Sequence, residues 1–98
     1  MNRLRLDSAA RVELLHETKY NEATRPGTGR KIREAVDEVF GRIRRTPNAG
    51  KPEEEGCRRM RVAGIPFSVV YREEKTEIAV YAVRPDAREP GYWLPRAQ

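Results

Sequence analysis

The chain has 98 residues, 38% of them hydrophobic and 36% charged, so residues 1–98 are expected to form one domain whose helices and sheet share a single small core. Its formal net charge of +5 suits an anionic partner, either nucleic acid or an acidic protein. No apolar run approaches membrane-spanning length, residues 1–7 lack the apolar segment of a signal peptide, and the one cysteine, Cys57, excludes an internal disulfide and fits a reducing cytoplasm.

Residues 3–7 alternate charged and apolar, with Leu4 and Leu6 on one side, and predict a short strand with one buried face. Asp7 or Ser8 is placed to cap a helix over residues 9–23. Ala9, Val12, Leu15, His16, Tyr20 and Ala23 recur at helical spacing and predict its buried stripe, with His16 a packed or hydrogen-bonded residue of that stripe. Leu14 points elsewhere and is expected to pack on a second helix. Arg25-Pro26-Gly27-Thr28-Gly29 breaks the helix. A second helix follows over residues 30–45, with Ile32, Val36, Val39, Phe40 and Ile43 as the cleanest apolar stripe in the chain. Two helices joined by so short a break should pack as an antiparallel hairpin.

Thr46-Pro47-Asn48-Ala49-Gly50 stops the second helix, and residues 51–56 read as a charged loop without pattern. Three runs rich in Val, Ile, Tyr and Phe then alternate with Ala63-Gly64-Ile65-Pro66 and Glu73-Glu74-Lys75-Thr76, the pattern of an antiparallel meander. In the first run Met60 and Val62 oppose Arg59 and Arg61; in the second, Phe67, Val69 and Tyr71 oppose Ser68, Val70 and Arg72. Residues 78–83 are apolar throughout, which predicts a central strand covered on both faces. The fold class is therefore α+β: a strand, an α-helical hairpin and a three-stranded antiparallel meander.

The inventory of reactive groups is short. One histidine and one cysteine, far apart, exclude a zinc site or a Cys–His nucleophile, and no nucleotide-binding glycine motif follows a strand; no metal and no cofactor are expected. Arginine and tyrosine remain. Arg59 and Arg61 share a face roughly 7 Å apart, where two guanidinium groups can engage successive phosphates or spread transition-state charge. Arg58 alternates to the Met60 side and needs an acidic partner or a strand end. In the tail, Arg88 stands near Tyr92-Trp93; those rings can stack on nucleobases, or Trp93 can anchor the tail on the core behind the Pro90-Gly91 turn.

The order of these pieces resembles the RelE/ParE superfamily of small bacterial toxins from type II toxin–antitoxin modules. The resemblance runs through Ala10-Arg11-Val12-Glu13-Leu14, Tyr20, Arg25-Pro26-Gly27-Thr28-Gly29, Thr46-Pro47-Asn48-Ala49-Gly50, Arg58-Arg59, Ile65-Pro66-Phe67-Ser68-Val69-Val70-Tyr71-Arg72, Ala82-Val83 and Arg88-Glu89-Pro90-Gly91-Tyr92-Trp93. It implies helices packed on one face of the sheet. It also implies a partner, an antitoxin whose C-terminal segment covers a basic groove. Leu14 and the strand edges are surfaces for that antitoxin or for a homodimer.

Members of the superfamily differ in target. RelE-like toxins cleave mRNA in the ribosomal A site, and ParE-like toxins poison DNA gyrase without catalysis. By resemblance to the first group the chain is expected to be a ribosome-dependent endoribonuclease with Arg59, Arg61, Arg88 and Tyr92 as catalytic residues. An arginine would stabilise phosphorane charge, and Tyr92 would assist proton transfer at the 2′-hydroxyl or stack on the base. Arg58, Arg72 and Trp93 would contact RNA or the partner. The alternatives are a gyrase inhibitor and an attenuated relative that only binds protein. The chain departs from the RelE-like pattern in three places: Ser68 and Asp86 stand where arginines are expected, and Pro85 where relatives with the same ending carry histidine.

Overall fold

A computed structural model of the protein describes residues 3–98. Strand β1 (Arg3–Leu6) leads into helix α1 (Ser8–Thr24) and helix α2 (Thr28–Arg45). The strands β2 (Lys51–Pro52), β3 (Arg58–Arg61), β4 (Phe67–Glu73) and β5 (Glu77–Pro85) follow, and a single turn, α3 (Leu94–Ala97), ends the chain. The five strands form one sheet in the order β1-β5-β4-β3-β2. β1 runs parallel to β5, and the other pairings are antiparallel. The expected α+β fold, with the helical hairpin against one face of the sheet, is the one observed.

Local chemistry explains the hairpin. The Asp7 carboxylate accepts a hydrogen bond from the Ala9 amide at 3.1 Å and caps α1. At the other end, Glu22 of α1 reaches across the break and accepts from the amides of Gly27 and Gly29 at 3.0 and 3.1 Å, which satisfies the free N–H groups that start α2. Gly29 is required for close approach: a Cβ there would sit 2.5 Å from the Thr18 carbonyl oxygen. Ile32, Val36, Val39, Phe40 and Ile43 are all buried, as the spacing predicts.

The predicted stripe of α1 is corrected. Its buried residues are Ala10 and Leu14, whereas Val12, Leu15 and Tyr20 are 65%, 52% and 63% exposed. His16 is also exposed, stacked on Tyr20 with ring centroids 6.3 Å apart. The helix is rotated by its attachments to β5: the Asp7 amide donates to the Val80 carbonyl at 2.8 Å, and Glu13 accepts from the Val83 amide at 3.2 Å. With Glu13 drawn to the strand edge, Ala10 and Leu14 must face the core and the longer apolar stripe must face outward. Residues 51–56, read as a patternless loop, instead contribute β2, paired through Lys51↔Arg59 and Pro52↔Arg58, and a short 3₁₀ turn.

The sheet is covered on both faces. On the helix side Leu14, Ile32, Val36, Phe40 and Ile43 pack with Met60, Val69, Tyr71, Ile78 and Val80, joined by Leu4 and Leu6. On the opposite side Cys57, Val70, Ala79, Tyr81 and Ala82 pack under Trp93 and Ala97 of the tail. β5 is thus buried on both faces, the physical reason for its unbroken apolar run. The tail returns to the sheet through Gly91, whose φ of +77° is the left-handed conformation that glycine tolerates, and Trp93 ends 1% exposed. It therefore anchors the tail.

The orientation of α1 gives a sharp pair of expectations. Leu14→Ala should lower the unfolding free energy by about 2–4 kcal/mol, as for a buried leucine, while Leu15→Ala should change it by no more than about 0.5 kcal/mol. Urea titration of both variants reads the difference directly.

Candidate functional site

Beyond Leu6, β1 no longer covers the outer edge of β5, so the backbone groups of Tyr81 and Val83 need other partners. Side chains supply them. One carboxylate oxygen of Glu13 accepts from the Val83 amide at 3.2 Å and from Arg96 at 3.0 Å, and Arg96 donates in turn to the Tyr81 carbonyl at 3.0 Å. The other oxygen of Glu13 accepts from the Tyr92 hydroxyl at 2.6 Å and lies 4.0 Å from Arg88. The guanidinium groups of Arg88 and Arg96 stand 3.7 and 5.1 Å from the Tyr92 ring centroid. Burial, then the hydrogen bond to the Glu13 carboxylate, pushes the Tyr92 hydroxyl far above the usual phenol range.

Two of the predicted catalytic residues, Arg88 and Tyr92, are therefore brought together, but around a carboxylate. The other two lie on β3. Arg59 pairs with Glu53 at 3.1 Å and Arg61 with Asp86 at 3.2 Å. Among the described residues no hydrogen bond or ion pair joins Arg59 or Arg61 to Arg88 or Tyr92. Two of the three departures from the RelE-like pattern meet each other: the Ser68 hydroxyl donates to Asp86 at 2.6 Å, and Asp86 also takes Arg61. Where a nuclease of that type would present cationic groups, this chain holds a serine–aspartate–arginine chain that is neutral in sum.

The residues expected to contact a partner also have internal roles. Arg58 donates to the carbonyls of Asn48 and Gly50 at 3.3 and 2.9 Å, meeting the need for a strand-end partner. Arg72 pairs with Glu74 at 2.7 Å and donates to the Glu55 and Ala97 carbonyls and the Tyr81 hydroxyl, stitching the 3₁₀ turn, the tail and the sheet together. Hydrogen bonding to Arg72 lowers the Glu74 pKa, and burial raises that of the Cys57 thiol. Trp93 is enclosed and offers no exposed ring face. Among the described residues no cluster of three or more His, Cys, Asp or Glu is placed to hold a metal ion, and no helix is long and apolar enough to cross a membrane.

Sequence reasoning missed Glu13 and Arg96, the pair that organises this site. The only signal was a carboxylate flanking the Ala10–Leu14 face in a chain whose tail carries several arginines, too weak without knowing how α1 is rotated. Sequence reasoning also missed the exposed stripe of Val12, Leu15 and Tyr20. Leu15, at one margin of it, also lines a hollow of about 430 Å³ with Leu4, Leu6 and Leu14 together with Arg11, Arg33, Arg44 and Asp37.

Glu13→Ala should free the tail. Expected are a loss of about 1–3 kcal/mol from leaving buried donors unpaired and a red shift of the emission of Trp93, the sole tryptophan. Trp93 fluorescence before and during urea unfolding checks both. Alkaline pH should act at the same place. A raised tyrosine pKa means that Tyr92 contributes stability in full below about pH 10, where it is protonated in folded and unfolded chains, and loses it as pH rises further. Tyr92→Phe should decline less steeply above about pH 10 than the wild type in urea titrations across that range.

A family model for the ParE toxin of the type II toxin–antitoxin system parDE matches residues 4–90. Among solved structures, a chain from the chromosomal ParDE toxin–antitoxin system of P. aeruginosa has a TM-score of 0.78 at 22% sequence identity. The match covers 87% of this chain and 96% of that one. No curated protein matches the sequence. A family match spanning nearly the whole of the described fold leaves one conclusion: the chain belongs to the ParE toxin family of type II toxin–antitoxin systems.

Proposed function

We propose that this toxin acts as a non-catalytic inhibitor of DNA gyrase rather than as a ribosome-dependent nuclease. The observation that carries the reading is the engagement of Tyr92: its hydroxyl donates to Glu13 at 2.6 Å and its ring is half-buried under Arg88, so the group is turned into the protein instead of toward a substrate. The Ser68–Asp86 contact points the same way, since it sets a carboxylate where resemblance to a RelE-like nuclease implies an arginine facing the scissile phosphate. A binding toxin needs none of these groups free. Membership of the ParE family, whose relatives resemble gyrase poisons, adds to the reading.

The antitoxin is assigned to the outward stripe of α1 in the same reading. Val12, Leu15 and Tyr20 offer apolar anchors, and Leu15 leads into the leucine-lined hollow bordered by Arg11, Arg33 and Arg44, so an amphipathic acidic segment fits both.

Pulse labelling just after induction in a bacterial host separates the targets. Thymidine incorporation should fall while amino-acid incorporation still continues, and Tyr92→Phe should retain toxicity within about twofold. Loss of a catalytic acid or base would cost about 10²–10⁴-fold. An immediate fall in amino-acid incorporation, abolished in Tyr92→Phe, would sink the gyrase reading in favour of mRNA cleavage. Co-expressed antitoxin should restore growth to cells making the wild type but not to cells making Leu15→Glu.

A further inference from the structure

A second charged feature lies away from the Glu13 site. Between the last turn of α2 and the β2–β3 edge is a hollow of about 250 Å³ lined by Arg42, Lys51, Arg59 and Arg61, with Ala49, Gly50 and Met60 as its floor. β2 ends at Pro52 and covers β3 only at Arg58 and Arg59, so Arg61 is left on an open strand edge. Arg42 and Arg61 also line the adjoining hollow. Two of the four cations carry carboxylates: Arg59 has Glu53 and Arg61 has Asp86. Among the described residues the side chains of Arg42 and Lys51 make no hydrogen bond or ion pair, and both are exposed. The Arg61 side chain is 69% exposed, so its ion pair is of the weak, solvent-screened kind that a stronger anion displaces.

The surroundings narrow the kind of anion. An acidic protein partner would want an apolar anchor at the centre of its footprint, and the floor here is alanine, glycine and a buried methionine. A single nucleic-acid strand would want exposed aromatic rings on which to stack bases, and no ring lines this hollow. What is offered is four cationic residues around one hollow, without a means of reading bases. That chemistry matches the repeated phosphates of a duplex backbone, bound without regard to sequence.

We infer that Arg42, Lys51, Arg59 and Arg61 form a docking site for the phosphate backbone of duplex DNA. The choice of DNA among duplexes rests on the gyrase reading, in which the toxin meets its target on DNA; the cationic geometry stands without it. Contact with the DNA held by the enzyme would give the toxin a second foothold besides the protein surface.

The test is fluorescence anisotropy of the full chain with a labelled 20-base-pair DNA duplex at 50 and 200 mM salt. Four phosphate contacts should give a slope of log affinity against log salt near −3.6, so that affinity falls about 10²-fold over that range. The double variant Arg42→Gln/Lys51→Gln should flatten the slope by about 2. Lys19→Gln/Lys75→Gln, which removes the same charge outside the hollow, should leave it unchanged. Equal losses in the two double variants would overturn the assignment, as would binding of single-stranded DNA or polyglutamate as tight as that of the duplex. No gyrase is present, so a chain that binds duplex DNA and leaves gyrase untouched keeps this site and sinks the gyrase reading. A chain that inhibits gyrase with no slope change in the variant does the reverse.

Discussion

The structure depends on how the outer edge of β5 is satisfied once β1 has run out. β1 is four residues long and pairs only as far as Val80, yet β5 continues to Pro85. The exposed amide of Val83 and carbonyl of Tyr81 are completed by Glu13 from α1 and Arg96 from the tail, which also bind each other. Side chains thereby stand in for a missing stretch of strand. One carboxylate couples the helical hairpin, the central strand and the C-terminal tail, elements far apart in sequence. Its second oxygen holds Tyr92 and so decides where the tail's aromatic and cationic groups point.

That constraint bears on function. In a small basic domain the arginines look like a reactive array when read along the chain, but most of those singled out are committed to structure. Arg72 ties three segments together, Arg58 caps the backbone of the loop before β2, and Arg88 and Arg96 flank the Tyr92 ring. The cations left unpaired, Arg42 on α2 and Lys51 on β2, instead line the hollow beside the far edge of the sheet. Structural and recognition roles are thus divided between the two edges, with the covered tail face between them.

The two helices illustrate why amphipathic pattern is read well in one place and badly in another. α2 has one strong stripe, no competing attachment, and buries the residues its spacing predicts. α1 carries apolar residues around much of its circumference, so periodicity alone could not choose a face. The choice was made by hydrogen bonds to β5, which cost Val12, Leu15 and Tyr20 their burial. An apolar stripe left outside by such a choice is available to a partner.

What the sequence by itself determined was everything governed by local period and turn chemistry. The strand with Leu4 and Leu6 inward, the break at Pro26-Gly27, the stripe of α2, the face alternation of β3 and β4 and the doubly covered β5 all follow from spacing and from the backbone preferences of Gly and Pro. The tertiary structure alone decided which charges meet. Glu13 with Tyr92 and Arg96, Ser68 with Asp86, and the parallel pairing of β1 with β5 join residues distant in the chain. No period connects such pairs. Their energies depend on distance and burial, quantities that come into being only when the sheet has assembled.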